Sequence, residues 1–318
     1  MRVLTLVPGG ISDQLLFFPT LETLQRTYPK ASIDVLVEPR AKAAYRVCPN
    51  VKEILLFDYQ DRYGLADYLN LLGVIRDREY EIALDLSGRG PVGLLLWLNG
   101  IPVRVGYRKD GSWFLSNSVP RKTSGYLADI YHDLVAALKI ASPRPPLQVT
   151  LKKEDIDWAE MEQKRLDIKD SGYILVYGGG SDLLASQGTE TVYPIDAWAK
   201  ILQEIQGKQP SLPLVAIEGT SEESWVAALS QKVGGLKISR TADIGKMAAM
   251  IAGGNILLST DSVPLQLAVA VGTPTIALLA PSSIELLPTD DRFVKILSPT
   301  AKVADIKPET VLERLWQS

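Results

Sequence analysis

The chain has one cysteine and one histidine in 318 residues. With Cys48 alone, no disulfide can close within the chain and no Cys-based metal site is available. With His132 alone, a Ser-His-Asp triad or a multi-histidine zinc site would have to be built around one residue, which argues against both classes. Long hydrophobic runs are missing too. The best candidate, "VGLLLWLNGIPV" at 92–103, falls well short of the roughly 20 residues that a spanning helix needs. There is no excess of positive charge: the net charge is −3, which argues against bulk nucleic-acid binding. The opening "MRVLTLV" runs straight into a Gly turn and reads as a buried strand rather than a secretory leader. The expected location is the cytoplasm, with peripheral contact at the inner face of a membrane.

What is present reads as globular. Hydrophobic residues make up 46% and charged residues 22%, ordinary values for a folded domain. The length suits two domains of about 150 residues, each able to bury its own core. Charge is uneven between the halves. Residues 1–150 hold 18 Lys/Arg against 15 Asp/Glu, and the remainder holds 16 against 22. A positive first half favours an anionic partner, but only weakly at this size.

Strand and helix patterns alternate along both halves. In the first, "RVLTLV", "SIDVLVEP", "EILLFD", "EIALDL" and "VRVGY" read as strands. "DQLLFFPTLETLQRTY", "AAYRVCPN", "LADYLNLLGVIRDR", "PVGLLLWLNG" and "YLADIYHDLVAALKI" read as helices. Short apolar runs separated by helical patterns indicate buried parallel strands. The Pro-rich "ASPRPPLQVT" at 141–150 suits a stiff connector, and the domain boundary is placed there, giving domains 1–145 and 146–318. The second half repeats the alternation. "YILVY", "PLVAIEG", "LKISR", "NILLSTD" and "TPTIALLAP" read as strands. "PIDAWAKILQEIQ" (Pro in its first turn), "EESWVAALSQKV", "DIGKMAAMIAGG", "VPLQLAVAVG" and "KPETVLERLWQS" read as helices. The expected fold class is α/β, with two doubly wound Rossmann-like domains facing a cleft.

Ligands of such sheets bind beyond the carboxyl ends of strands. Four loops stand there: "PGGISD" at 8–13, "GGGS" at 178–181, "EGTSE" at 218–222 and "TDSVP" at 260–264. Asp13 stands at the mouth of an apolar helix, where it serves either as a helix cap or as a catalytic base. Thr260 and Ser262 precede a helix whose N-terminus suits a phosphate, and a plain Ser/Asp cap is the competing reading. Arg104, Arg108, Lys109, Arg121 and Lys122 with Tyr107 and Trp113 form a basic-aromatic stretch, either a solvated face or an anionic acceptor site.

Three stretches carry a specific resemblance. "GGISDQLLFFPTLETLQRTYPKASIDVLVEP" resembles the opening of glycosyltransferase family 9, the lipopolysaccharide heptosyltransferases, with its G-x-x-G-D-x-L-L-x-x-P-x-L-x-x-L pattern. "EYEIALDLSGRGPVGLLLWLNGIPVRVGY" is similar to the family's YD-x-x-x-D-L segment followed by R-x-G. "STDSVPLQLAVAVGTPTIALLAP" is similar to its TD-[ST]-G-P-x-x-H-L-A-A-A-L-G-T-P block. The resemblance implies a GT-B fold, with an acceptor-binding first domain and a second domain for a nucleotide-sugar, commonly an ADP-heptose. It implies an inverting, metal-independent and cofactor-free transfer to a cell-envelope glycan or glycolipid of the lipopolysaccharide type.

By position, the resemblance makes Asp13 the base and puts Gly9, Gly10 and Ser12 on the acceptor side. "YGGGS" takes the place of an H-P-G-A-S loop, so Gly179, Gly180 and Ser181 face the donor. Glu222 corresponds to an acid near the ribose, and Asp261 to an acid near the donor sugar. Thr260, Ser262 and Gln266 complete that loop. The departures are local. Ser12 replaces a Gly, Val263 a Gly and Gln266 a His, while Thr191-Val192-Tyr193-Pro194 replaces K-x-W-P. Loss of that phosphate-contacting Lys removes a bond of about 1.5–3 kcal/mol unless another donor replaces it. His132 matches a family His before a helix, and packing is its expected role. A non-catalytic descendant that binds a nucleotide, sugar or protein partner is the rival reading. Nucleotide-sugar 2-epimerases share the fold but lack the opening block.

Overall fold

The computed structural model describes residues 1–58, 64–109, 112–169, 171–178, 192–219 and 222–317. The chain divides into two compact units, Met1–Gln148 and Val149–Ser318.

The first unit contains β1 (Arg2–Val7), α1 (Ile11–Thr27), β2 (Ser32–Val37), β3 (Glu53–Leu56), α2 (Leu65–Arg76) and β4 (Ile82–Asp85). It continues with α3 (Gly90–Leu98), β5 (Val103–Tyr107), β6 (Asn117–Val119) and α4 (Leu127–His132). Its six strands lie in the order β3-β2-β1-β4-β5-β6, and every neighbouring pair is parallel. β1 is apolar along both faces because Val3, Leu4, Leu6 and Val7 are all buried, as a central parallel strand requires. The strand order reverses between β1 and β4, where Leu6 stands opposite Asp85. That reversal is the switch point at which such sheets open a crevice.

The second unit contains α5 (Lys153–Arg165), β7 (Ile174–Tyr177), α6 (Ile195–Lys208), β8 (Leu214–Glu218), α7 (Glu223–Lys232) and β9 (Lys237–Arg240). Then come α8 (Ile244–Ala252), β10 (Ile256–Thr260), α9 (Val263–Val271), β11 (Thr275–Leu279), β12 (Phe293–Leu297) and α10 (Pro308–Gln317). The order β12-β11-β10-β7-β8-β9 repeats the plan of the first unit, with its reversal between β7 and β10. There Ser259 pairs with Tyr177. Trp198 on α6 is fully buried among Val176, Tyr193, Ile201 and Leu202. A Cβ on Gly178 would lie 2.1 Å from the Trp198 Nε1, so only glycine lets the chain leave β7 over that ring.

Several elements differ from their sequence patterns. Residues 39–47 form a 3₁₀ helix rather than an α-helix over 43–50. The helix read over 126–140 stops at His132 and tightens into a 3₁₀ turn, Asp133–Leu138. Pro194 caps α6 from outside instead of sitting in its first turn. Among the described residues, no helix is long and apolar enough to cross a membrane.

Candidate active site

The chain leaves β1 through Pro8 and turns at Gly9, whose φ of +105° disfavours any residue with a Cβ. Gly10 is the N-cap of α1 and Asp13 its N3 residue. Asp13 Oδ2 accepts a hydrogen bond from the Gly10 N–H at 2.9 Å, so the cap role is realised. A Cβ on Gly9 would fall 2.3 Å from that same oxygen, so Gly9 also leaves room for the carboxylate. Oδ1 accepts from the Tyr131 hydroxyl on α4 at 3.1 Å. Capping does not exhaust the carboxylate, because each oxygen keeps a further lone pair. Behind the loop, Gly9 N–H donates to Glu38 Oε1 at 3.2 Å, and Glu38 is paired with Arg40 at 2.8 Å. Burial pushes the Asp13 pKa above the usual carboxylate range, and the Gly10 N–H, the Tyr131 hydroxyl and Arg40 only partly offset it. Such a carboxylate is a better proton acceptor than an exposed one. Gly9, Gly10, Ser12 and Asp13 thus come together at the carboxyl end of β1.

A second carboxylate stands across the same switch point. Asp85 is buried at the end of β4, and its Oδ1 accepts from Ser87 N–H at 2.8 Å. Burial pushes its pKa up to about 6. Its only sequence signal is the D of the YD-x-x-x-D-L resemblance. Tyr131 had no signal at all, because it reaches Asp13 across 118 positions.

In the second unit, Gly179, Gly180, Ser181 and Thr191 lie outside the described residues. The others surround the ends of β8 and β10. Glu222 is buried as the N-cap of α7. Its Oε2 accepts from Gly219 N–H at 3.0 Å, and its carboxylate also bonds the Tyr177 hydroxyl at the end of β7. Thr260, buried, closes β10. Ser262 caps α9: its Oγ accepts from Leu265 N–H at 3.3 Å and lies 2.8 Å from Ser259 Oγ. Asp261 Oδ2 accepts from Ser283 Oγ at 3.0 Å. Gln266 is fully buried, with Nε2 donating to the Leu286 carbonyl at 2.9 Å and Oε1 left without a hydrogen-bond partner.

Of the two readings of the 260–264 loop, the helix cap is the one that the geometry displays. Pro264 has no N–H, and Ser262 takes up that of Leu265. The N-terminus of α9 therefore offers an anion fewer free donors than its sequence suggests, and the Asp261 carboxylate precedes it.

Two other readings resolve. His132 is buried, with a ring nitrogen 2.9 Å from Thr23 Oγ1, and it fastens α4 to α1 as packing requires. The basic-aromatic stretch is not one cluster. Tyr107 is buried, Arg104 donates to the backbone carbonyls of Ile101 and Phe114, Arg121 lies over the Tyr107 ring and Lys122 pairs with Asp133. No group of three or more His, Cys, Asp or Glu able to hold a metal occurs among the described residues.

The family profile described as "Glycosyltransferase family 9 (heptosyltransferase)" matches residues 69–315. The chain belongs to that family. Its activity class is accordingly glycosyl transfer. Among its relatives is "Photosynthetic NDH subunit of subcomplex B 1, chloroplastic" of Arabidopsis thaliana, 23% identical over 98% of this chain and 72% of the relative. "Lipopolysaccharide heptosyltransferase 2" of Escherichia coli (strain K12) is 22% identical over 99% of this chain and 97% of the relative. A heptosyltransferase of E. coli solved with ADP-2-deoxy-2-fluoro heptose superposes with a TM-score of 0.75 at 15% identity, covering 100% of this chain and 99% of the other. This glycosyltransferase family 9 chain has a GT-B-type fold of two Rossmann-like units.

Proposed function

We propose that this protein is an inverting, metal-independent glycosyltransferase. It moves a heptose-like sugar from a nucleotide-sugar, ADP-heptose or a close analogue, to a glycan or glycolipid of the lipopolysaccharide type. The first unit takes the acceptor and the second takes the donor. The carrying observation is Asp13: a carboxylate at the β1 switch point, held by one donor on each oxygen and pushed up in pKa by burial. An acceptor hydroxyl is a weak nucleophile, and such a carboxylate is suited to remove its proton as the new glycosidic bond forms. The bond from the anomeric carbon to the diphosphate breaks in the same displacement, and its electron pair leaves with the nucleotide. Hydroxyls and N–H groups of the second unit then stabilise the departing charge. Gly179, Gly180, Ser181, Thr191, Glu222, Thr260, Asp261, Ser262 and Gln266 are the proposed donor contacts. Gly9, Gly10 and Ser12 shape the acceptor side. The chemistry takes place in the cytoplasm, on an acceptor at the membrane surface.

The test is transfer from ADP-heptose to a truncated lipopolysaccharide acceptor, in chelator and with added magnesium. Product with the inverted anomeric configuration, formed equally in both conditions, is the expected result. A strict magnesium requirement or retained configuration would overturn the mechanism. A second reading rests on the Arabidopsis relative, whose name is that of a complex subunit. In that reading the chain keeps the fold and binds a partner without turnover. Nucleotide binding without product formation from any nucleotide-sugar would favour it.

A further inference from the structure

Helix α3, Gly90–Leu98, carries no polar side chain in nine residues. One face is accounted for: Val92, Leu95 and Leu96 are buried in a cluster with Leu71, Ile75 and Ile101. The opposite stripe is Leu94, Trp97 and Leu98, spaced i, i+3, i+4, and these are 36%, 52% and 43% exposed. A surface helix ordinarily turns polar residues to that side. The apolar surface continues beyond the helix. The Ser112–Phe114 turn lies on α3, since a Cβ added to Gly93 would meet Phe114 at 3.4 Å. The Phe114 ring packs 5.9 Å from that of Trp97, and next to it Trp113 is 88% exposed. Contiguous exposed apolar surface of this kind marks a contact site.

Its surroundings are mainly basic. Between Asp85 and Asp129 the chain has six Lys or Arg residues and a single acid, Asp110. Arg104, Arg121 and Lys122 are engaged within the fold. Arg108 and Lys109, at the strand end that leads into the Trp113 turn, are exposed. Lys109 shares a hollow at the base of α3 with Arg89, Gly90, Gly93, Phe114 and the buried Asp85. Leucines and indoles beside exposed cations, with the nearby Asp85 carboxylate buried, match the interfacial pattern of a membrane-surface segment.

We propose that the α3 face docks on an anionic phospholipid bilayer, with Trp97, Trp113 and the exposed leucines entering the headgroup–acyl boundary and Arg108 and Lys109 meeting lipid phosphates. The docking rests on the glycolipid-acceptor reading only for its purpose: it would hold the enzyme where such an acceptor resides.

The experiment is flotation of the full chain with phosphatidylcholine vesicles, pure or containing about 30% phosphatidylglycerol, with neither donor nor acceptor present. The chain should float with the anionic vesicles, less so in high salt, and stay unbound with the neutral ones. Arg108→Ser/Lys109→Ser should weaken anionic-vesicle binding about 30-fold. Trp113→Ser should weaken it about tenfold. Both variants alter exposed side chains, and unchanged thermal melts would show that they fold. Absence of binding by the parent chain, or parent-like binding by both variants, overturns the proposal. A parent that self-associates, with Trp113→Ser monomeric and vesicle binding unchanged, would assign the face to a second copy instead. Because no sugar is present, failure here leaves the transfer reading intact, and failure of transfer leaves vesicle binding to stand on its own.

Discussion

In the first unit the chain leaves β1 over two glycines and brings in Asp13, with Asp85 ending the strand on the other side of the reversal. In the second unit, built on the same strand order, it leaves β10 through Thr260, Asp261 and Ser262, with the Gly178 turn after β7 on the other side. One backbone plan therefore carries two chemistries. The first switch point gathers carboxylates whose pKa values burial raises, which suits removing a proton. The second gathers the hydroxyls of Ser259, Thr260 and Ser262 beside the Asp261 carboxylate, and Ser262 turns its oxygen onto the helix that follows. The difference lies in the side chains at the two reversals, and it teaches that the chemistry offered is written in the loops while the sheets supply the geometry.

The sharpest break in that comparison is Asp13→Asn. Asn keeps an acceptor for the Gly10 N–H but is no base, so turnover should fall roughly 10²–10⁴-fold. The melting temperature and nucleotide affinity should stay close to the parent's. Steady-state kinetics with calorimetry will decide, and retention of most turnover removes Asp13 from the mechanism.

Gly9→Ala attacks the same site through the backbone. It puts a Cβ into a φ of +105° and against Asp13 Oδ2. Strain of about 1–3 kcal/mol is expected, read as a lower urea midpoint together with a loss of turnover. An unchanged midpoint would mean that the loop relaxes freely.

Asp85 gives the comparison a pH signature. Its folded pKa of about 6 lies above the unfolded carboxylate value of about 3.9. Between those values the native state keeps a proton that the unfolded chain has released, so this group's contribution to stability is present at low pH and is lost as pH rises through about 6. The stability gap between Asp85→Asn and the parent should shift in favour of the variant by about 2 kcal/mol from pH 4 to pH 7. His132 works in the opposite direction, since burial lowers its pKa and stability is lost as pH falls below about 6.5. It is common to both chains and cancels in the difference. A gap that stays flat with pH would show that Asp85 does not titrate there.

The smallest effect belongs to the second unit. Ser262→Ala removes the cap on Leu265 N–H and should cost about 1 kcal/mol of stability. A near-zero cost would mean that Ser259 or water takes over the helix end.

The central strands and most helices were legible because their apolar runs are long and regular. β1 and β5 fall where their patterns put them, over 2–7 and 103–107. The missed elements have weak patterns for physical reasons. β6 has three residues, two of them polar, at a sheet edge. Helix α5 buries Asp155, Ala159 and Glu162, so its inward face hardly looks apolar. β12 is an edge strand bearing Lys295. At the candidate site, Asp13 was readable from its loop, but Tyr131 and the Glu38–Arg40 pair reach the loop only through tertiary packing. At α9 the sequence offered the Ser262 cap beside the phosphate reading, and only the structure shows the hydroxyl turned onto Leu265 N–H.

The strand order also sets a timetable for synthesis. β1 is made first, yet it lies in the middle of its sheet, between β2 and β4. After β2 and β3 have paired, the other edge of β1 stays open until β4 emerges, some 75 residues behind it. Because every strand pair in both sheets is parallel, none can close as a fast local hairpin, and each waits for a crossover. The nascent chain thus carries an open edge on a mostly apolar strand during translation. That strand leads directly to Asp13, so the proposed acceptor side of the enzyme is assembled only when residues made much later arrive to cover it.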